Sequence, residues 1–247
     1  MMSTFLIPAY NEEKRIGNCI SVLSKEFPDS SYIVVFDGND RTPDVVSRYS
    51  NVKLIRFGNR VGKGRAIIEG LKKVSENDIV IIIDADMPVD ASDIRRAEKA
   101  FGNNDMLIVQ RIYEQAPGSR LFLHNSYMAL AKLLFPLLRP LPDWQGGFKL
   151  LKTSSVIIVS KELVLNDFLF DTNLVYSFLK HNMKVAVLPV KWKHEEKESK
   201  VSGQILKVIL LFLLSLLKMR AYYSPLRIWL YSKSFLVVQS RIQKFLR

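Results

Sequence analysis

The chain has 247 residues, 48% of them hydrophobic, and a single cysteine, which excludes a disordered polypeptide and an intramolecular disulfide and leaves room for one sizeable core. The net charge of +12 is uneven: from Lys184 onward 13 Lys/Arg stand against 3 Asp/Glu, whereas residues 1–183 carry 23 against 21. The last quarter is therefore the part expected to meet an anionic partner.

In chain order, apolar runs at Thr4–Ile7, Tyr32–Phe36, Val52–Phe57, Ile79–Ile83 and Met106–Val109 have strand character. Amphipathic patterns near residues 12–26, 41–49, 63–75 and 91–101 have helical character. Such alternation predicts βαβ units and a parallel sheet covered by helices. Strand-like sequence begins by Phe5, leaving no room for a cleaved leader peptide. Cys19 shares helical spacing with Ile16, Ile20 and Leu23, which makes it core packing rather than a nucleophile.

Ligands of such sheets bind beyond the carboxyl ends of the strands, and that is where the unusual residues fall. After the first strand comes Pro8-Ala9-Tyr10-Asn11-Glu12-Glu13. Asn11 suits a helix N-cap and the two glutamates suit the helix dipole, while Pro8 and Tyr10 suit a wall beside the strand end. The second strand ends in Asp37-Gly38-Asn39-Asp40, a turn by composition, in which Asp37 is also able to accept from a nucleobase edge. The third leads into Gly58-Asn-Arg60-Val-Gly62-Lys63-Gly64-Arg65, glycines and cations at a helix start that suit a diphosphate. Its spacing is not that of a P-loop. The fourth, Ile79–Ile83, has the unbroken β-branched run of a strand buried on both faces and delivers Asp84 and Asp86. In an extended backbone these two share one side, and paired carboxylates suit a hard divalent cation carrying substrate phosphates.

This ordered series resembles the family-2 glycosyltransferases, and within them the dolichyl-phosphate mannose synthase group. The matching residues are Ile7-Pro-Ala-Tyr-Asn-Glu12, Asp37-Gly38, Gly62-Lys63-Gly64, Asp84-Ala-Asp86, Gly146-Gly147-Phe148-Lys149, Phe170-Asp171-Thr172 and Val190-Lys-Trp192-Lys-His194. The resemblance implies a Rossmann-like glycosyltransferase A-type α/β fold with a mostly parallel sheet. It implies inverting transfer of a sugar, mannose before glucose, from a nucleotide-diphosphate sugar (GDP-mannose or UDP-glucose) to a polyprenyl phosphate such as dolichyl phosphate. By the same resemblance Pro8, Ala9, Tyr10, Glu12, Asp37, Lys63, Asp84, Ala85, Gln145, His194 and Lys200 hold the donor. Asp84 and Asp86 hold Mg²⁺ or Mn²⁺, Asp86 belongs to the catalytic set, and Arg111 and Arg120 reach the lipid phosphate. His194, Ser199 and Lys200 would belong to a loop closing over the diphosphate. Two departures stand out: Phe36 replaces an acid before Asp37, and Pro88 replaces a glutamine that in relatives adds a metal ligand.

Residues 110–149 read differently from the sheet. Leu121–Leu138 is an apolar helical pattern containing His124, Lys132 and Pro136, too broken to span a bilayer, which the resemblance makes an acceptor-side interface helix over 119–141. Asp143 stands where many relatives place a catalytic base. A base is needed for a hydroxyl acceptor, as on a lipid-linked glycan; an ionised phosphate acceptor needs none, and Asp143 then orients. His124 and His181 match no partner pattern and are read as structural or surface residues. The predicted organisation is a catalytic domain over 1–203 and basic amphipathic helices over 204–247, broken near Ser224-Pro225. Those helices suit anionic membrane lipids at the cytoplasmic face. Their cations are interleaved with Leu, Ile and Val rather than with stacking aromatics, so nucleic acid is not an expected partner. The non-enzymatic alternatives are a catalytically silent nucleotide-sugar-binding module and a nucleic-acid-binding protein.

Overall fold

The structure, a computed structural model, describes residues 3–75, 78–113, 118–167, 169–192 and 205–231. Two compact units divide the chain. One is Met1–Ala116 with Pro140–Lys193; the other is Pro117–Arg139 with His194–Arg247.

The first unit is built on a seven-stranded sheet: β1 (Ser3–Ala9), β2 (Ser31–Phe36), β3 (Val52–Arg56), β4 (Ile79–Ile82), β5 (Met106–Ile112), β6 (Lys149–Lys152) and β7 (Val185–Lys191). The order across the sheet is β3-β2-β1-β4-β6-β5-β7. All neighbours are parallel except β6, which runs antiparallel to both β4 and β5. The order reverses between β1 and β4, so a crevice opens at their carboxyl ends. Helices α1 (Ile16–Glu26), α2 (Thr42–Val46), α3 (Lys63–Leu71), α4 (Ala91–Phe101), α6 (Thr153–Val159) and α7 (Phe170–Lys180) complete the unit.

The β-branched run of β4 is explained by its place. It is the central strand, and both of its faces are covered. Phe5, Ile7, Ile81 and Ile83 pack with Ile16, Ile20 and Leu23 of α1 and with Ile94, Ala97 and Phe101 of α4, each large side chain contributing about 1.5–3 kcal/mol. Cys19 belongs to the same cluster, as its spacing predicts. On the other face Leu6 and Val35 meet Gly70 of α3.

Three local expectations are corrected. Asp84 and Asp86 do not continue an extended strand. The ladder stops at Ile82, the Met87 amide closes a turn on the Asp84 carbonyl at 3.0 Å, and Met87 has φ 47°. Asn11 is not an N-cap, because α1 starts only at Ile16 with Arg15 before it. The fifth strand runs on to Ile112, which puts Gln110 and Arg111 inside the sheet opposite Pro189 and Val190. Cross-strand pairing with β7 holds that polar extension, which an apolar run alone does not reveal.

The second unit contains α5 (Gly118–Leu134), a 3-10 turn over Pro136–Leu138, α8 (Ile205–Tyr222) and a second 3-10 segment over Pro225–Tyr231. Pro136 ends the helical pattern that sequence extends to Leu138, because its ring removes a donor and clashes with the preceding turn. Tyr127 of α5 meets Phe212 of α8 edge to face, with ring centroids 5.3 Å apart. The 119–141 helix is thus grouped for the most part with the C-terminal segment rather than with the sheet. Among the described residues no helix is long and apolar enough to cross a membrane.

Candidate active site

The first two strand ends are stitched to each other by side chains gripping backbone. Asn11, at φ 58°, accepts the Asn39 amide on Oδ1 at 2.9 Å. The Thr42 hydroxyl accepts the Glu12 amide at 2.9 Å, and Asp40 accepts the Glu13 amide at 3.0 Å. Burial alone would raise the Asp40 carboxyl, but hydrogen bonds from Thr42 and from the Glu13 amide outweigh it and hold the group below its ordinary range. These contacts fix Pro8 and Ala9 at the end of β1 and leave Tyr10 beneath the Arg60 guanidinium, 4.1 Å from its ring centroid. Glu12 pairs with Arg15 at 2.6 Å.

Asp37 is turned toward the glycine loop. Its Oδ2 accepts the amides of Val61 at 3.1 Å and Gly62 at 2.7 Å. Gly62 has φ 89°, a conformation that side chains disfavour, and this bend starts α3 at Lys63. The Lys63 ammonium then reaches Asp84 Oδ1 at 2.7 Å. Burial would lower the lysine, but the charges of Asp84 and Asp171 prevail and raise it. Asp86 lies at the turn, open to solvent on one side and facing the crevice on the other. Its carboxyl is pushed up to about 6 by desolvation in the crevice and by Asp84, with Glu12 adding and Arg15 and Lys63 opposing. The buried thiol of Cys19 is pushed up to about 12, first by burial and then by the charges of Asp86, Asp84 and Glu12. That agrees with its packing role. Ala85 points into the core.

The reversed strand β6 brings the segment 143–149 to this same edge, because Lys149 lies level with Ile82 of β4 and Ile108 of β5. Asp143 is buried and forked onto Arg111, Oδ2 to Nε at 2.7 Å and Oδ1 to Nη2 at 3.1 Å. It also accepts the amides of Arg111 at 3.3 Å and Gln145 at 3.0 Å. Burial disfavours the guanidinium charge, yet the bond and the charge of Asp143 raise Arg111 further above its ordinary range. Arg111 also lies near the rings of Tyr113 and Trp192, at 5.6 and 5.8 Å. Trp144 is fully buried and donates from Nε1 to Thr172 Oγ1 at 2.9 Å. Gly147 lies so close to Asp84 that a Cβ there would collide with its carboxylate.

The carboxylate pair fits a divalent cation of the Mg²⁺ or Mn²⁺ kind. Asp86 is destabilised as an anion by its neighbour, which a cation between them would relieve. Among the described residues no cluster of three or more His, Cys, Asp or Glu is arranged to hold a metal. Mg²⁺ is commonly held by one or two carboxylates together with substrate phosphates rather than caged by protein. Pro88 is buried and contributes no ligand, as its side chain dictates.

Sequence reasoning thus places Pro8, Ala9, Tyr10, Glu12, Asp37, Lys63, Asp84, Asp86, Arg111, Asp143 and Gln145 along one edge of one unit. Asp37 and Asp143 each also grip a neighbouring element. The Arg120 side chain, His194, Ser199 and Lys200 lie outside the described residues, as do Lys233, Phe235, Arg241 and Lys244 of the basic tail. Lys149 and Asp171 belong to matching motifs but carried no assigned role. The signal for them was a charge in each of two otherwise apolar segments.

The comparisons agree with this geometry. The family model for glycosyl transferase family 2 matches residues 4–158, well over half of the chain. A dolichyl-phosphate beta-glucosyltransferase ALG5D of Trichomonas vaginalis is 29% identical over 92% of this chain and 75% of its own length. The human dolichyl-phosphate beta-glucosyltransferase is 28% identical over 77% of this chain and 67% of its own. Among solved structures, glucosyl-3-phosphoglycerate synthase of Mycobacterium tuberculosis superposes with a TM-score of 0.68 at 18% identity, covering 87% of this chain and 79% of that one. The same enzyme in complex with Mn²⁺, UDP and glucosyl-3-phosphoglycerate superposes with a TM-score of 0.67 at 17% identity and the same coverage. The glycosyltransferase A-type fold is therefore the architecture of the sheet unit, and the chain belongs to glycosyl transferase family 2.

Proposed function

We propose that the protein transfers glucose, with inversion, from UDP-glucose to a polyprenyl phosphate of the dolichyl type. Asp84 and Asp86 hold a divalent cation, and the work is done at the cytoplasmic face of a membrane. The observation that carries the acceptor is the fork between Asp143 and Arg111. A carboxylate engaged on both oxygens is poorly placed to take a proton from a hydroxyl. An ionised phosphate, with its second pKa about 6, has no proton to give up. Catalysis then consists of bringing two anions in line and neutralising them. Arg111 orients the acceptor phosphate from its fork, Lys63 faces the diphosphate, and Tyr10 with Asp37 borders the nucleoside. The bound cation would neutralise the departing diphosphate.

Mannose, the motif-based first choice, gives way to glucose because both relatives named above carry glucose in their names. The mycobacterial neighbour in complex with Mn²⁺ and UDP favours the uridine donor and a metal of that class.

The membrane assignment is supported by the second unit. In α8 Ser215 is buried along with Leu216 and Met219, while Leu210, Leu213 and Leu217 face outward. In α5, Phe122 is 71% and Leu133 69% exposed. Apolar faces turned outward on a chain with a basic end suit the interface of an anionic leaflet.

Radiolabelled UDP-glucose and GDP-mannose, each incubated with dolichyl phosphate with and without Mn²⁺, test the proposal beside an Asp86→Ala control. Metal-dependent label in the lipid phase from UDP-glucose alone, lost in the control, is the expected result. Transfer from GDP-mannose overturns the sugar. No labelled lipid phosphate despite metal-dependent donor binding overturns the acceptor.

A further inference from the structure

We propose that the buried ion pair of Lys149 and Asp171 is a positioning element of the donor site, holding the Gly146–Gly147 turn against Asp84. The proposal rests on reading Asp84 as a donor and cation ligand.

The ammonium of Lys149 lies 2.8 Å from Asp171 Oδ1, with side chains only 1% and 7% exposed. A buried pair of this kind is weak evidence for stability. Desolvation of both charges offsets most of their attraction, and well-packed apolar substitutes are often equally stable or more so. Here burial is severe enough to pull the Lys149 ammonium below its ordinary value even though Asp171 opposes it. The pair therefore calls for another reason, and its neighbours supply one.

Lys149 is the first residue of β6 and donates back to the carbonyl of Gly146. The next residue, Gly147, is the one pressed against Asp84 Oδ2. The ammonium thus ties down the turn that backs the Asp84 carboxylate. On the other side, Asp171 opens α7 as part of Phe170-Asp171-Thr172-Asn173, all four buried. Thr172 accepts from Trp144 at 2.9 Å. Phe170 Cβ and the Leu165 carbonyl would lie within 2.8 Å of a Cβ at Gly64. Asn173 Oδ1 accepts the amides of Val164 at 2.7 Å and Leu165 at 3.1 Å, and the Asn166 carbonyl accepts the Gly64 amide at 3.2 Å. One short stretch of α7 therefore clamps both the glycine loop and the 143–149 segment. Partners that orient a ligand to a metal typically change metal affinity ~10–100-fold when removed.

The test is Lys149→Met/Asp171→Val, which replaces the pair by apolar side chains. Asp171→Asn keeps the shape and removes only the charge. The full-length protein is examined for melting temperature, for Mn²⁺–UDP affinity by calorimetry, and for donor and acceptor KM against kcat. The double variant is expected to melt at or above the wild-type temperature. Its Mn²⁺–UDP affinity is expected to fall ~10-fold or more, with donor KM rising and acceptor KM unchanged, and Asp171→Asn should shift affinity in the same direction. Variants that bind Mn²⁺–UDP as the wild type does overturn the positioning role and leave a purely structural pair. Affinity lost only in proportion to stability overturns it as well. Wild-type protein that binds no Mn²⁺–nucleotide overturns the underlying reading of Asp84, and the proposal with it.

Discussion

Asp143 shows how a residue's chemistry follows from its partners. A carboxylate accepting a forked guanidinium and two amides is held in one orientation, which suits an orienting group. We expect Asp143→Asn to lower kcat/KM by ~10-fold, mainly through acceptor KM, because the Arg111 fork loses its charge but keeps its shape. Loss of a general base would instead cost ~10²–10⁴-fold in kcat. Steady-state kinetics with each substrate varied in turn separates the two. Asp37 makes the same point on the donor side, since its Oδ2 is spent on the amides that shape the lysine loop. The residue types and their order along the chain were legible in sequence. Which group each one grips was not, because the partners lie 25 and 32 residues away.

Elements at the far edge of the sheet are held by a single carboxylate. Asp105, just before β5, accepts the Ser155 hydroxyl of α6 at 2.7 Å and the Lys184 amide before β7 at 2.9 Å. Its carbonyl accepts the Lys152 amide of β6 at 2.9 Å. Burial would raise its carboxyl, but the Ser155 and Lys184 hydrogen bonds, with the charges of Lys152 and Lys184, hold it below its ordinary range. A depressed folded value stabilises the protein above the unfolded value, near pH 4, and that contribution disappears as pH falls through the folded value. Asp105→Asn is therefore expected to cost about 1–2 kcal/mol at pH 7. The gap between variant and wild type should narrow toward pH 2, as read from urea unfolding at both pH values. A gap independent of pH would assign the loss to packing. β6 itself escaped the sequence reading because four residues flanked by lysines carry too little periodicity. Only pairing with β4 and β5 makes Lys149–Lys152 a strand.

At the scale of the whole molecule, the chain separates sugar-transfer chemistry from a unit whose outward surface is apolar. Leu133 and Leu217 are 69% and 58% exposed, so charging them costs little in folding. Leu133→Glu/Leu217→Glu is expected to lose binding to anionic liposomes in flotation while keeping Mn²⁺–UDP affinity. Unchanged flotation would remove these faces from the membrane contact. The amphipathic pattern of α8 was visible in sequence, including the stripe of Lys207, Ser215 and Lys218. Its direction was not: periodicity says that two faces differ, while burial of Ser215, Leu216 and Met219 decides which one is inside.

Sequence by itself determined the alternation of strands and helices, the central place of the Ile79–Ile83 run, and the gathering of motif residues at one sheet edge. Apolar period, glycine and capping chemistry are local properties that a linear chain displays. Tertiary structure alone decided that β6 runs backward, that residues 117–139 are grouped with the C-terminal segment, and that Asp37, Asp143 and Asp171 each hold a distant cation or amide in place. Charge pairs and antiparallel returns depend on which surfaces meet after folding, and no local pattern records that meeting.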